Sequence, residues 1–145
     1  MAEFLVRGYN VAIPEVDDGD DVFVVHSDVG ELHRVQIKTA SPKRRLTTSR
    51  GISAQFNVGA LQLEKARTPD LNYIFTVRDD GRWLAWFLIT RQELLDRHSI
   101  EGFGSRNNQG RIVFTITFRP DATTANGLDL TAHRDAWDRY WRPLI

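Results

Sequence analysis

The chain of 145 residues contains no cysteine. That excludes a disulfide framework, a thiol nucleophile and a cysteine-ligated zinc, and it fits the reducing cytoplasm, where the protein is expected to reside. No stretch approaches the ~18 apolar residues of a membrane helix. Met1 to Arg7 runs straight into patterned sequence rather than a charged-then-apolar leader, so neither a membrane span nor a secretory signal is expected. An excess of charge of either sign is also missing: 19 Lys+Arg stand against 19 Asp+Glu, for a net charge of zero. This excludes a protein that coats nucleic acid with general positive charge, so any nucleic-acid face must be local. Internal repeats and low-complexity linkers are absent as well. What is present, 41% apolar residues in a chain of this length, fills one core and predicts a single domain over residues 1–145.

The zero is a sum of unlike parts. Residues 8–33 hold seven acids (Glu15, Asp17, Asp18, Asp20, Asp21, Asp28 and Glu31) and no Lys or Arg. Residues 32–63 hold six bases (Arg34, Lys38, Lys43, Arg44, Arg45 and Arg50) and no acid. Taken singly, each run reads as solvated surface. Their adjacency makes the elements that carry them worth placing.

Glu3 to Arg7, ended by Gly8, predicts a short first helix. Val11 and Ile13 before Pro14 suggest a brief strand. Asp21 to His26 is β-branched and aromatic, Ser27-Asp28-Val29-Gly30 is turn chemistry, and Glu31 to Lys38 alternates polar with apolar, which together predict a β-hairpin. Residues 39–51 read as a basic loop, followed by a strand near Ala54 to Val58, while Gly59 to Arg67 is ambiguous. Asn72 to Val77 and Trp83 to Ile89 flank Asp79-Asp80-Gly81 as a second hairpin. Thr90-Arg91-Gln92-Glu93 is a capping box that opens a helix of about two turns. After a Gly/Asn-rich loop, Ile112, Phe114, Ile116 and Phe118 form one face of another strand. Leu130, Trp137, Trp141 and Leu144 fall on one face of an amphipathic closing helix, the tryptophans serving as core anchors. The fold class is α+β (mixed α/β).

Several constellations carry no chemistry. Asp17 to Asp21 lacks the ligand spacing of a calcium loop, His26, His33, His98 and His133 lack metal-ligand spacing, and Gly102-Phe103-Gly104 lacks the context of a dinucleotide loop. No serine sits in a nucleophile elbow. The first hairpin differs. If its turn is centred between Asp28 and Val29, paired residues sum to 57 and Asp21 lies opposite Gln36. Period two then puts Lys38 on the same face, with Val35 and Ile37 on the other. An acid, an amide oxygen and an amine converge, and the Ile37 carbonyl adds a further oxygen. Hard oxygens suit a divalent metal and Lys38 can orient or deprotonate water, the requirements of metal-assisted phosphodiester hydrolysis. The alternative is a hairpin edge that carries polar residues to remain soluble.

Gly8-Tyr9-Asn10-Val11, Asp21-Val22-Phe23-Val24-Val25 and Arg34-Val35-Gln36-Ile37-Lys38-Thr39-Ala40 resemble the PD-(D/E)xK endonuclease superfamily, in particular its bacterial intron-homing endonuclease-like branch with Gln before x-Lys. The resemblance covers the first third of the chain well. It implies a restriction-endonuclease-like core, a central mixed β-sheet flanked by helices. It also implies Asp21 as principal metal ligand, Gln36 in the place of the second acid, Lys38 as catalytic lysine, and Mg²⁺ or Mn²⁺ as cofactor held by Asp21, Gln36 and the Ile37 carbonyl. The family's first helix carries a metal-site Glu one to two turns before the position of Glu3. By that comparison the first helix is expected to be shortened here, and Glu3 is either a substitute for that Glu or a bystander.

A metal nuclease needs acids for the ion and bases to neutralise nearby phosphates. Lys43, Arg44, Arg45 and Arg50 are the expected DNA contacts. The function implied is a metal-dependent DNA endonuclease, a phosphodiester hydrolase acting on double-stranded DNA with no membrane partner, which needs a homodimer or larger homo-oligomer to cut both strands. The alternatives are a catalytically inactive DNA-binding or protein-interaction module of the same fold, and a purely structural domain.

Overall fold

Period-two patterning dominates the chain, and strands follow from it. In the computed structural model the described residues are 1–15, 20–45 and 50–144, without the side chains of Arg44 and Arg45. The acidic turn at Asp17, Asp18 and Gly19 and the basic-loop residues Leu46 to Ser49 lie outside them. The elements in order are α1 (Ala2–Val6), β1 (Asn10–Ala12), β2 (Val22–Val25), β3 (Leu32–Ala40), β4 (Arg44–Arg45), β5 (Ile52–Gly59), α2 (Ala60–Glu64), β6 (Leu71–Asp79), β7 (Arg82–Thr90), α3 (Arg91–Glu101), β8 (Ser105–Arg106), β9 (Arg111–Phe118), β10 (Thr123–Ala125), β11 (Leu128–Asp129) and α4 (Trp137–Tyr140), the last preceded by a 3₁₀ turn at Thr131–His133. Among the described residues no helix is long and apolar enough to cross a membrane.

The fold is a mixed α+β arrangement. Its mixed sheet runs β1-β2-β3-β6-β7, antiparallel except for the parallel β3–β6 pair, which aligns Gln36 with Tyr73 and Lys38 with Phe75. Helices α1 and α4 cover one face of that sheet, where Phe4, Val22, Val24, Val35, Ile74, Leu88, Trp137 and Trp141 pack together. On the opposite face Leu63 of α2 and Leu94 of α3 join the core, but helices are not that face's main cover. A second, antiparallel sheet, β11-β10-β9-β5-β4 with β8 on β9, lies against it. Tyr73, Phe75, Val77 and Phe87 of the first sheet meet Phe56, Phe114, Ile116 and Phe118 of the second in one core. Burying each such side chain stabilises the fold by about 2 kcal/mol relative to exposure. The reason for a sheet in place of a helix is local: β5 and β9 alternate buried with exposed residues, which is strand periodicity.

The second hairpin closes through Asp80 (φ 47°) and Gly81 (φ 75°), both left-handed as a two-residue turn requires. The Thr90 capping box forms as expected, with Thr90 Oγ1 accepting from Glu93 N and Thr90 N donating to Glu93. Helix α3 runs 11 residues, about a turn longer than the sequence predicts, until Gly102 ends it in the left-handed conformation. The expected closing helix is the main difference. Leu130 enters the core between the sheets, whereas Trp137, Trp141 and Leu144 reach the other face of the first sheet. Between them the chain crosses the free edge of β7, where Asp135 N donates to Trp86 O and Arg134 bridges to Phe87. One helix cannot lie on both sides of a sheet, so only the four-residue α4 forms.

Candidate functional site

The first hairpin has the register expected from its sequence: Val22 pairs with Val35 and Val25 with Leu32. The pairing ends there. Asp21 N donates to Val35 O (3.0 Å) and does not continue the ladder opposite Gln36. Asp20, buried just before it, forms an ion pair with Arg34 of β3 and so anchors the entry to β2. Turned in this way, Asp21 sends its carboxylate across the end of β2, where Oδ2 accepts from Ile37 N at 2.6 Å. The expected face-sharing pair of Asp21 and Gln36 is thereby corrected. The acid is exposed beyond the end of the ladder, bonded to the peptide nitrogen that joins Gln36 to Ile37.

Gln36 and Lys38 do share a face, as period two requires, and both line a cleft of about 450 Å³ between the sheets. Gln36 is only 5% exposed, and its Oε1 has no hydrogen-bond partner among the described residues. An unpaired buried acceptor costs about 1–3 kcal/mol. Asp20 Oδ1, Thr123 Oγ1 and Trp141 Nε1 are also buried without a partner among the described residues, and Gln36 is the one of the four that lines this cleft. The far side of the cleft comes from α2 and the β8–β9 hairpin, including Gln62, Arg106, Gln109 and Arg111. Gln62 Oε1 accepts from the hydroxyl of the fully buried Tyr73 at 3.2 Å, and burial pushes that phenol far above its ordinary range.

The other expected site residues lie elsewhere. Glu3 accepts from Arg7 Nε (3.2 Å) and lines a separate cavity of about 280 Å³ with Ile37, Trp83, Trp86 and Trp137, on the face opposite the cleft. Lys43 is exposed, and its backbone N donates to Ser53 O. Arg44 and Arg45 pair with Ser53 and Ile52 at the start of β5, whereas the cleft begins at Gly59 at its end. Arg50 lines a different pocket with Arg119 and Arg134. At ~3.4 Å per residue, the two ends of β5 are about 24 Å apart.

Compared with protein-family models, with curated proteins and with solved structures, the chain matches none. The chemistry of the site therefore rests on its own residues. The Asp21 carboxylate bonds to the Ile37 N–H, and the Gln36 amide and the Ile37 carbonyl belong to the same stretch of β3, so three oxygens of the kind a hard divalent cation takes lie along one strand end. The carbonyl points to the same side of β3 as Ile37 N, because both groups of a strand residue face the same neighbour. The orphaned Gln36 oxygen is what fits such an ion. Arg106 and Arg111, which bracket an Asn-rich turn, are the cleft residues that sequence reasoning missed.

Proposed function

We propose that this protein is a metal-dependent DNA endonuclease of the PD-(D/E)xK type. The observation that carries the reading is the buried, unpartnered Gln36 oxygen beside Lys38 in an open cleft, with the Asp21 carboxylate bonded to the peptide between them. Asp21, Gln36 and the Ile37 carbonyl would hold Mg²⁺ or Mn²⁺. Such an ion supplies charge neutralisation at the phosphate and acidifies water. Lys38 Nζ, as an ammonium, would orient the attacking water and the phosphate; the water gives its proton to bulk solvent as the new P–O bond forms, and the leaving oxygen takes one up from solvent as its bond to phosphorus breaks. The Ile37 N–H fixes the Asp21 carboxylate, so the acid does not have to be ordered when substrate arrives. Cutting both strands would engage two copies of the chain.

One observation favours a second reading, a DNA-binding module of the same core without cleavage: among the described residues Asp21 is the single carboxylate bonded at the Ile37 peptide, where the family pattern has two acids. A plasmid cleavage assay with Mg²⁺ or Mn²⁺ decides between them. The wild type is expected to cut, and Asp21→Ala and Lys38→Ala each to lose at least ~100-fold in rate. Cleavage that survives both substitutions unchanged rejects the site. A rise in melting temperature with Mn²⁺ that disappears in Asp21→Ala would report metal binding independently of turnover.

A further inference from the structure

The wall of the cleft opposite β3 is strongly basic. Arg106 and Arg111 line it, Lys38 faces them from β3, and none of the cleft's lining residues is an acid. Arg111 Nη1 donates to the neutral Asn57 Oδ1 at 2.8 Å, and among the described residues neither Arg111 nor Lys38 has an ion-pair partner. Arg106 pairs with Glu64 at 3.1 Å, both half exposed, an arrangement worth little in water and readily exchanged for a better anion.

The backbone that carries the two arginines is fixed by hydrogen bonds. Asn107 Oδ1 accepts from Gln109 N (2.9 Å) and Arg111 N (3.0 Å), which closes the turn with a side chain. Gly110, at φ 69°, accepts from Ala60 N at 2.9 Å through its carbonyl, tying the hairpin tip to the start of α2. Guanidinium groups held in this way suit two-pronged recognition of phosphate oxygens. Gln36, whose buried oxygen has no partner among the described residues, lines the same cleft.

We infer that the β8–β9 hairpin is a phosphate clamp: Arg106 and Arg111 hold the phosphodiester backbone of DNA against Lys38, at the cleft and not on the loop after β3. The inference rests on the nuclease reading for its choice of substrate, but its test is binding and not cleavage. Affinity for a short DNA duplex is measured against salt concentration with EDTA present, for wild type, Arg106→Gln, Arg111→Gln, the double variant and Arg97→Gln. The last removes a helix arginine paired with Glu101, away from the cleft. Each cleft substitution should lower the slope of log K against log salt by about one, and the double variant by about two, with at least a ~10-fold loss of affinity at physiological salt. Arg97→Gln should leave the slope unchanged.

Unfolding curves matching the wild type confirm that the variants are folded, and Arg111→Lys, which keeps the charge, should recover most of the slope. A competition arm with inorganic phosphate separates backbone binding from capture of a free anion. If the cleft variants lose phosphate binding but keep DNA affinity, the clamp is not for DNA. Slopes in the cleft variants equal to that of Arg97→Gln overturn the inference even if the protein cuts DNA. A reduced slope in a protein that never cuts DNA upholds the clamp and rejects the nuclease reading.

Discussion

Two polar assemblies border the core between the sheets, and they are built in opposite ways. At one, the buried Arg91 donates to both oxygens of Asp70 (2.7 and 2.9 Å), to Leu63 O (2.7 Å) and to Gln92 Oε1 (2.9 Å), while Asp70 also accepts from Leu71 N. The hydrogen bonds it donates to Asp70 raise the Arg91 pKa above its ordinary range. Burial alone would raise the Asp70 carboxyl, but Arg91 and the backbone amides outweigh it and hold that carboxyl low. At the other, Gln36 presents an acceptor that nothing described satisfies, and Lys38 beside it has no counter-ion among the described residues. Of the buried polar atoms left without a partner among the described residues (Asp20 Oδ1, Gln36 Oε1, Thr123 Oγ1 and Trp141 Nε1), only that of Gln36 belongs to a residue of the cleft that holds Lys38. The first assembly is a staple between α2, α3 and the start of β6, and the second is the polar pair on which the proposed metal site rests.

The sharpest way to break this comparison is to remove the staple. Arg91→Met keeps the length of the side chain but leaves Asp70 and the Leu63 carbonyl without their donor, and should cost about 3 kcal/mol of stability. Urea unfolding with an unchanged m-value would measure it. A variant as stable as the wild type would show that the pairing is ornamental and that the contrast with Gln36 has no energetic content.

A smaller effect separates the assemblies by pH. The segment that crosses the edge of β7 is tied down by Glu93, which accepts from Thr90 and Tyr140 and pairs with Arg139, and by His133, whose Nδ1 lies 3.1 Å from both Leu88 O and Tyr140 Oη. Burial lowers the His133 pKa below the ordinary histidine range. Burial by itself would raise that of Glu93, but its hydrogen bonds from Thr90 and Tyr140 outweigh this and lower it. Both groups bind protons more weakly folded than unfolded, so stability is complete at neutral pH and falls with acidification: first through His133 below about pH 6.5, then through Glu93 below the usual carboxylate range. Melting temperature should drop by about 3 °C between pH 7 and 5, the effect of roughly 1 kcal/mol on a chain of this size. His133→Gln should remove much of that slope, with the half-buried His33, also held low by burial, contributing to the remainder. An unchanged slope in His133→Gln would show that the latch does not titrate there.

How far the sequence reveals these features depends on how local their causes are. The register of the first hairpin, the Asp80-Gly81 turn and the Thr90 capping box are set within a few residues, and each is legible from spacing. Strands of two or three residues such as β8, β10 and β11 are too short for periodicity to register. The path from Leu130 to Trp141 passes around a sheet edge, a tertiary fact that imitates helical spacing. At the site, the shared face of Gln36 and Lys38 follows from period two. The deflection of Asp21 follows from the buried Asp20–Arg34 pair, which no pattern announces. Arg106 and Arg111 come to the cleft only because two sheets stack, and net charge along the chain carries no trace of that.

The finest test of the comparison concerns a sign more than a size. Replacing the unpartnered Gln36 by an apolar side chain of similar length removes a desolvated acceptor and loses no bond described for its oxygen, so Gln36→Met should stabilise the protein by about 1 kcal/mol. A residue whose loss raises stability is one kept for another reason, and activity at a destabilising site is the commonest such reason. The same variant should therefore melt about 3 °C higher and lose any Mn²⁺-dependent gain in melting temperature. If Gln36→Met melts lower than the wild type without metal, the amide oxygen has a partner in the folded chain. The cleft would then be a second staple, and the contrast with Arg91 and Asp70 would disappear.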